Sequence, residues 1–227
     1  MIMYSLKITL LSDTTFGRGD GVAGLVDQEV EHDRYGFPYL RGRTLKGLLS
    51  EECDNFIALY IDRLEDAKRK QWIKVRHDLF GEAGSITENM AKMHVGDACL
   101  PPDLRQAIVR QQEQDESKNK FPTRDDVLSS LTAIRRQTAI NSESGVAVDH
   151  SLRSSRVIIR GLEFTANFLF DSEPTEEMKA LLYVGSLALR RIGSGRNRGR
   201  GNVRCNLLQN NLEIDPETRK KYLQNFN

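Results

Sequence analysis

Between Gly193 and Gly201 the sequence reads Gly-Ser-Gly-Arg-Asn-Arg-Gly-Arg-Gly, four glycines and three arginines in nine residues. Glycines let a backbone pass close to a ligand and adopt positive φ. Arginines bring planar, permanently charged forks that match phosphate. From Met178 to Leu212 no acidic residue occurs, while Lys179, Arg190, Arg191, Arg196, Arg198, Arg200 and Arg204 supply seven cations. The chemistry is that of a polyanion site, with Gly193, Gly195, Arg196, Arg198 and Arg200 as candidate contacts. A flexible, solvated loop that is merely basic is the other reading, although Gly/Ser linkers usually lack an arginine at every second position.

A second basic cluster, Arg41, Arg43 and Lys46, surrounds Thr44, where the pattern predicts a helix with Thr44 as its N-cap. Cations at a helix start oppose its dipole. An anion held there by the free N–H groups would explain them; a solvated basic face is the other reading. Phe16, Tyr35, Phe37 and Tyr39 lie among Arg18, Arg34, Arg41 and Arg43. RNA bases stack on such rings, and core packing is the competing role. Asp27 is the carboxylate that stands out, in an apolar run behind a glycine turn. It could hold a divalent metal or orient a hydroxyl beside a phosphodiester, or serve an ordinary turn.

Several chemistries are disfavoured. No glycine-rich loop ends in Gly-Lys-Ser/Thr, and Gly-x-Ser-x-Gly does not occur. The glycine loop follows a helix pattern rather than a strand, against a dinucleotide fingerprint. Histidines 32, 77, 94 and 150 are scattered, and Cys53, Cys99 and Cys205 form no C-x-x-C pair. Reduced thiols and a cytoplasmic location follow as expectations. The N-terminus alternates too early for a signal peptide, and no apolar run reaches membrane-spanning length. The net charge is only +1 with 29% charged residues, so a basic surface must be segregated from an acidic one. Glu51, Glu52, Asp54, Asp62, Glu65 and Asp66 supply the acidic side.

These residues need a scaffold. Leu6, Ile8 and Leu10 alternate with polar residues, as do Leu162 to Phe170 and Val203, Cys205 and Leu207, and each set predicts a half-buried strand. Extended chain is expected from Gly24 to about Glu31 and at Pro38–Leu40, and a strand at Met93–Ala98 after a loop from Arg76. One helix carries the stripe Leu45, Leu49, Cys53, Phe56, Tyr60 and Leu64. A second follows Pro174, with Thr175 as N-cap and Gly193 as C-cap. Gln111 to Arg124 is highly charged and expected to be mobile, and Thr132 to Arg156 reads as a basic protruding hairpin. The order predicts an α+β domain of the ferredoxin-like, RNA-recognition type. It is a single domain over residues 1–227, with an insertion at about 101–156 and a polar tail at 209–227.

The motifs taken in order resemble the RAMP superfamily, and more narrowly the repeated backbone subunit of type III CRISPR interference complexes. The pieces are Phe16-Gly-Arg-Gly-Asp-Gly21, Gly24-Leu-Val-Asp27, Gly36-Phe-Pro-Tyr-Leu-Arg-Gly-Arg-Thr-Leu-Lys-Gly47, Leu79-Phe-Gly81, Val95-Gly-Asp-Ala98, Gln137 to Leu152 around Gly145, and Ile192 to Gly201. The resemblance implies a RAMP palm with an inserted thumb hairpin, several copies stacking along a CRISPR RNA. It implies that Asp27, with Mg2+ or another divalent cation, cleaves target single-stranded RNA. Arg18, Arg41, Arg43, Thr44 and Lys46 would meet guide RNA, and the thumb, with Arg135 and Arg136, would wedge between bases. Implied partners are further RAMP subunits and other type III effector subunits. A non-catalytic RNA-binding subunit and a metal-independent guide-processing endoribonuclease are the alternatives.

Overall fold

Alternating apolar residues build the centre of the molecule. In the computed structural model, which describes residues 2–61, 66–82, 90–114 and 122–226, the chain runs β1 (Tyr4–Leu10), α1 (Gly42–Ile61), α2 (Asp66–Phe80), β2 (Met93–Val95), α3 (Pro102–Gln114), α4 (Arg124–Leu131), β3 (Thr132–Gln137), β4 (Arg153–Ile158), β5 (Glu163–Phe170), α5 (Glu176–Ala188), β6 (Val203–Gln209), β7 (Leu212–Glu213) and α6 (Pro216–Gln224). β1 lies between β5 and β6, antiparallel to both, with Leu6 opposite Ala166 on one side and Leu207 on the other. The full order is β2-β5-β1-β6-β7. Strands β1, β2, β5 and β6 with helices α1 and α5 make two interleaved β-α-β halves, the ferredoxin-like arrangement that the sequence pattern predicts.

Leu6, Ile8, Phe164, Ala166, Phe168, Cys205 and Leu207 face the buried side of the sheet, beneath α1 and α5. The two helices cross closely because α5 has a glycine there: a Cβ on Gly185 would lie 2.4 Å from Cys53 Sγ of α1. Burial pushes the thiols of Cys53 and Cys205 up, that of Cys205 to about 12, so both are packing residues. Thr175 caps α5 as expected, its hydroxyl accepting from Met178 N–H at 3.3 Å.

Other expectations need correction. Helix α1 begins at Gly42, so Thr44 is not its N-cap. Asp97, beyond β2, accepts from Gly42 N–H at 2.7 Å, and this partner is remote in sequence. Of the predicted α1 stripe, Leu45, Leu49 and Cys53 are buried and Phe56 packs against the core; the Tyr60 and Leu64 side chains lie outside the described residues. Residues 76–80 are helix, not loop: Trp72, Val75 and Leu79 form the buried stripe of α2, hidden in sequence among its charges. Helix α5 ends at Ala188, so Gly193 is not its C-cap. Gly24 to Glu31 forms a turn and isolated bridges rather than a strand, as does Pro38–Leu40. Gln111–Gln114 belongs to α3, residues 115–121 lie outside those described, and α4 starts at Arg124 with a Thr123–Asp126 capping box. The polar tail carries β7 and α6. It buries Tyr222 and Phe226, the latter stacked on Trp72 with centroids 4.4 Å apart.

Between β2 and β5 the chain inserts α3, α4 and the β3–β4 ribbon, registered from Thr132↔Ile158 to Gln137↔Arg153. Two glycines give opposite expected outcomes on mutation. Gly201 has φ +72°, and a Cβ there would meet Ile192 O at 2.0 Å. Gly201→Ala is expected to lower stability by about 2 kcal/mol or more in urea unfolding. Gly47, exposed in α1 with open space around it, is expected to gain roughly 0.5–1 kcal/mol on Gly47→Ala.

Candidate nucleic-acid interface

The glycine loop is a built structure rather than a tether. Ser194 N–H donates to Thr15 O at 2.9 Å, Gly201 N–H to Asp13 O at 3.0 Å, and Ile192 N–H to Gly201 O at 2.9 Å. A Cβ on Gly193 would lie 2.5 Å from Thr15 O, so only glycine admits this approach. Gly195 and Gly199, both at φ +78°, bracket a single 3-10 turn over Arg196–Arg198. Arg191 Nη1 closes the turn by donating to Arg196 O at 2.7 Å.

Two clefts meet at Arg196. The first lies between the loop and the start of α1, lined by Arg41, Thr44, Gly193, Ser194 and Arg196 over a floor of Phe16, Glu31 and Tyr39. The second lies between the loop and the β3–β4 ribbon, lined by Arg196, Arg198 and Arg200 on one side and Gln28, Gln137, Arg153 and Ser155 on the other. Thus the tertiary fold brings Arg41 and Thr44 to the glycine loop. Arg43 and Lys46 line neither cleft; Arg43 is exposed in the first turn, and burial pulls the Lys46 ammonium below its ordinary pKa.

Not every nominated cation is free. Arg18 pairs with Asp20 at 2.6 Å, Arg135 with Asp13 at 2.8 Å, and Arg196 with Glu51 at 3.5 Å. Such partly exposed pairs contribute little, so a phosphate can replace the acid. Arg41 lies 2.6 Å from the buried Glu31. Among the described residues, Arg43, Lys46, Arg136, Arg198 and Arg200 have no acid at ion-pair distance. Arg153, Gln28, Gln137 and Ser155 join the second cleft although the sequence reading did not nominate them. For Gln137, Arg153 and Ser155 the signal was alternation along the ribbon, which becomes meaningful only once the pairing is known; Gln28 comes from the segment bridged to Ser155. Arg156, by contrast, is structural: it pairs with buried Glu29 at 2.8 Å and ties the ribbon to the extended segment.

Asp27 sits on the other side of that ribbon. Its Oδ2 accepts from Ser154 N–H at 2.6 Å and from Ser154 Oγ at 3.2 Å. These bonds, the backbone one foremost, hold its carboxyl below the usual carboxylate range. Asp27 N–H in turn donates to Ser154 O at 2.9 Å. The tight turn that presents it requires Gly21, whose Cβ would lie 2.4 Å from Val26 O. Arg136, the strand partner of Ser154, lines the same cleft. Partners across an antiparallel pair share a face and neighbours alternate. Arg136, Ser154 and Asp27 therefore face one way, while Gln137, Arg153 and the glycine loop face the other. No group of three or more His, Cys, Asp or Glu able to hold a metal occurs among the described residues.

The aromatic residues are mostly core. Phe16 and Phe37 are buried, Phe16 edge-to-face with Phe164, and Tyr35 packs against the core while its hydroxyl donates to Glu113 at 2.7 Å. Tyr39 lines the first cleft beside the buried Phe16, and its hydroxyl donates to Glu31 Oε1 at 3.1 Å.

No curated protein matches the chain. Its fold is similar to a chain in the cryo-EM structure of the type III-B Cmr-beta in the apo state, at 15% identity and TM-score 0.61, covering 91% of this chain and 97% of that one. A chain in the type III-B Cmr-beta bound to cognate target RNA is similar at 14% identity and TM-score 0.58, with the same coverage of 91% and 97%. At such identities the likeness establishes the fold. The sequence model of the RAMP superfamily matches residues 7–204.

The Ser154 bonds make Asp27 sensitive to one substitution. A carboxylate with a depressed folded pKa contributes stability above its unfolded value and loses it as pH falls through the folded one. Ser154→Ala removes the Oγ bond and keeps the backbone one, so it is expected to raise the Asp27 pKa only part of the way toward the ordinary carboxylate value, read by carbon-13 NMR titration of its side-chain carboxyl. It should also remove part of the stability otherwise lost only at acid pH.

Proposed function

Because the chain belongs to the RAMP superfamily, we propose that it is a guide-RNA-binding backbone subunit of a type III CRISPR effector complex, and that Asp27 supports cleavage of the target RNA. The observation that carries the reading is the convergence of Arg41 and Thr44 with Arg196, Arg198 and Arg200 on two clefts that share Ser194 and Arg196. A single-stranded sugar-phosphate chain running from the first cleft into the second would meet guanidinium groups throughout, with glycines allowing close backbone approach. Protein partners in this reading are further RAMP subunits and other effector subunits.

The β3–β4 ribbon acts as the thumb. Its tip exposes Ile140, Val146 and Leu152, each more than 60% accessible, an apolar wedge suited to parting stacked bases. The ribbon keeps guide and target apart, since the phosphate clefts and Asp27 lie on opposite faces. Guide phosphates stay on the loop side, and a strand paired beyond the thumb reaches the Asp27 side. There Ser154 holds Asp27 Oδ2, which leaves Oδ1 for the reaction, and Arg136 offers positive charge to the phosphate under attack.

The fit to a divalent cation is that of an ion arriving with RNA. Mg2+ commonly binds through one or two carboxylates and takes the rest of its shell from water and phosphate, and Asp27 can supply one carboxylate oxygen. Such an ion would neutralise phosphate charge and acidify the attacking hydroxyl or water. The solitary carboxylate also favours a second reading, a purely structural RNA-binding subunit with cleavage carried out elsewhere.

Two experiments test these readings. Replacing Arg196, Arg198 and Arg200 together by Ala should leave the thermal unfolding midpoint unchanged. It should weaken binding to single-stranded RNA at least about tenfold and reduce the log K versus log salt slope by about 2. Unchanged affinity removes the loop from the interface. Asp27→Ala should assemble on guide RNA normally and lose site-specific cleavage by about 100-fold or more in Mg2+; undiminished cutting leaves the structural reading.

A further inference from the structure

The first cleft is cationic except for Glu31. This residue is 6% exposed, deep for a carboxylate, and it lines the cleft together with Arg41 and Ser194. Its Oε1 accepts from the Tyr39 hydroxyl. Burial, with the bond to Glu31 second, raises the Tyr39 pKa, so the phenol keeps its proton and remains the donor. Oε2 has no aligned hydrogen-bond donor. Its partner is Arg41 Nη2, 2.6 Å away in an ion pair, on a side chain that reaches solvent and can exchange. Packing does not require an acid here, and a negative group within a phosphate cleft weakens the binding of phosphate alone. Its presence is explained by a ligand that brings a donor as well as an anion.

Resting on the RNA-binding reading above, we propose that this cleft recognises ribose: Glu31 Oε2 accepts a hydrogen bond from the 2′-hydroxyl of a nucleotide whose phosphate is held by Arg41 and Arg196. The Arg41 side chain is 40% exposed and can turn toward a phosphate. When it does, the buried carboxylate loses its counter-charge and needs a donor in its place. A ribonucleotide supplies one from the same residue as the phosphate. A ligand without the hydroxyl leaves a buried acceptor unpaired, and an unpaired buried group costs more than a good bond gains. Selectivity thus arises from rejection of the wrong sugar as much as from attraction of the right one. Thr44 and Ser194, which line the same cleft, add neutral hydroxyls that serve either sugar.

The test uses the full chain with a uridine oligonucleotide and its fully 2′-fluoro counterpart. Fluorine keeps the ribo-like pucker and removes the O–H donor, and the bases are identical, so the difference reads the sugar alone. The wild type should bind the RNA on the order of tenfold more tightly than the fluoro strand. Glu31→Leu should bind both strands within about twofold of each other, with affinity for the fluoro strand equal to or above that of the wild type. Tyr39→Phe, which keeps the carboxylate, should retain the preference. Equal wild-type binding to both strands overturns the ribose assignment while RNA binding stands, as does a preference that survives Glu31→Leu. Binding of neither strand overturns the RNA reading and this inference with it. Equal wild-type binding overturns the assignment even if a variant fails to fold.

Discussion

The interface depends on the short stretch Asp13–Phe16, which continues β1 past the sheet and lends its backbone to every neighbouring piece. Asp13 O accepts from Gly201 N–H and Thr15 O from Ser194 N–H, which fixes both limbs of the cationic loop. Thr14 bridges Ile158 at the base of the ribbon, and the Thr15 hydroxyl donates to Arg156 O. Glu31 N–H donates to Phe16 O, which ties in the segment that carries Asp27, Glu29 and Glu31. The Asp13 carboxylate holds Arg135 and Arg160 N–H. One backbone strip thus sets the mutual positions of loop, ribbon and acid-bearing segment. It works because glycines 193 and 201 allow contacts that a single methyl group would block.

The ribbon then divides the labour. A two-stranded antiparallel ribbon has two faces, and consecutive residues alternate between them. Arg136 and Ser154 accompany Asp27, whereas Gln137, Arg153 and Ser155 accompany the arginine loop. Affinity for a polyanion and any attack on a phosphodiester are therefore separated by the thickness of one ribbon. In the proposed function this separation would let cationic groups concentrate on one strand without drawing a cleaved strand into the same groove.

Two buried acids, Glu29 and Glu31, show different uses of one chemistry. Glu29 and Arg156 are both well shielded, at 3% and 13% side-chain exposure, and the pair joins ribbon to segment. Burial costs desolvation, and loss of either partner would leave an uncompensated charge. Glu31 has a partner, Arg41, whose side chain is 40% exposed and can exchange. The first pair is shielded from solvent; the second reaches it through Arg41.

Local patterns in the chain were sufficient for the three central strands, the bodies of α1 and α5 with the Thr175 cap, and the cationic character of the glycine loop. These rest on short-range periodicity and composition, which act within one element. The ferredoxin-like order followed from their succession. The true start of α1 did not, because its capping acid, Asp97, arrives from beyond β2. Nor did α2, whose apolar stripe is sparse, or the burial of Phe226, which depends on Trp72 lying opposite. For the site, residue types named Asp27 and the arginines, yet Arg41 meeting Arg196, the recruitment of Arg153, and the placement of Asp27 behind the ribbon were decided by tertiary structure. Ion pairing and cleft lining are relations between distant segments, and only the folded chain brings those segments within reach of each other.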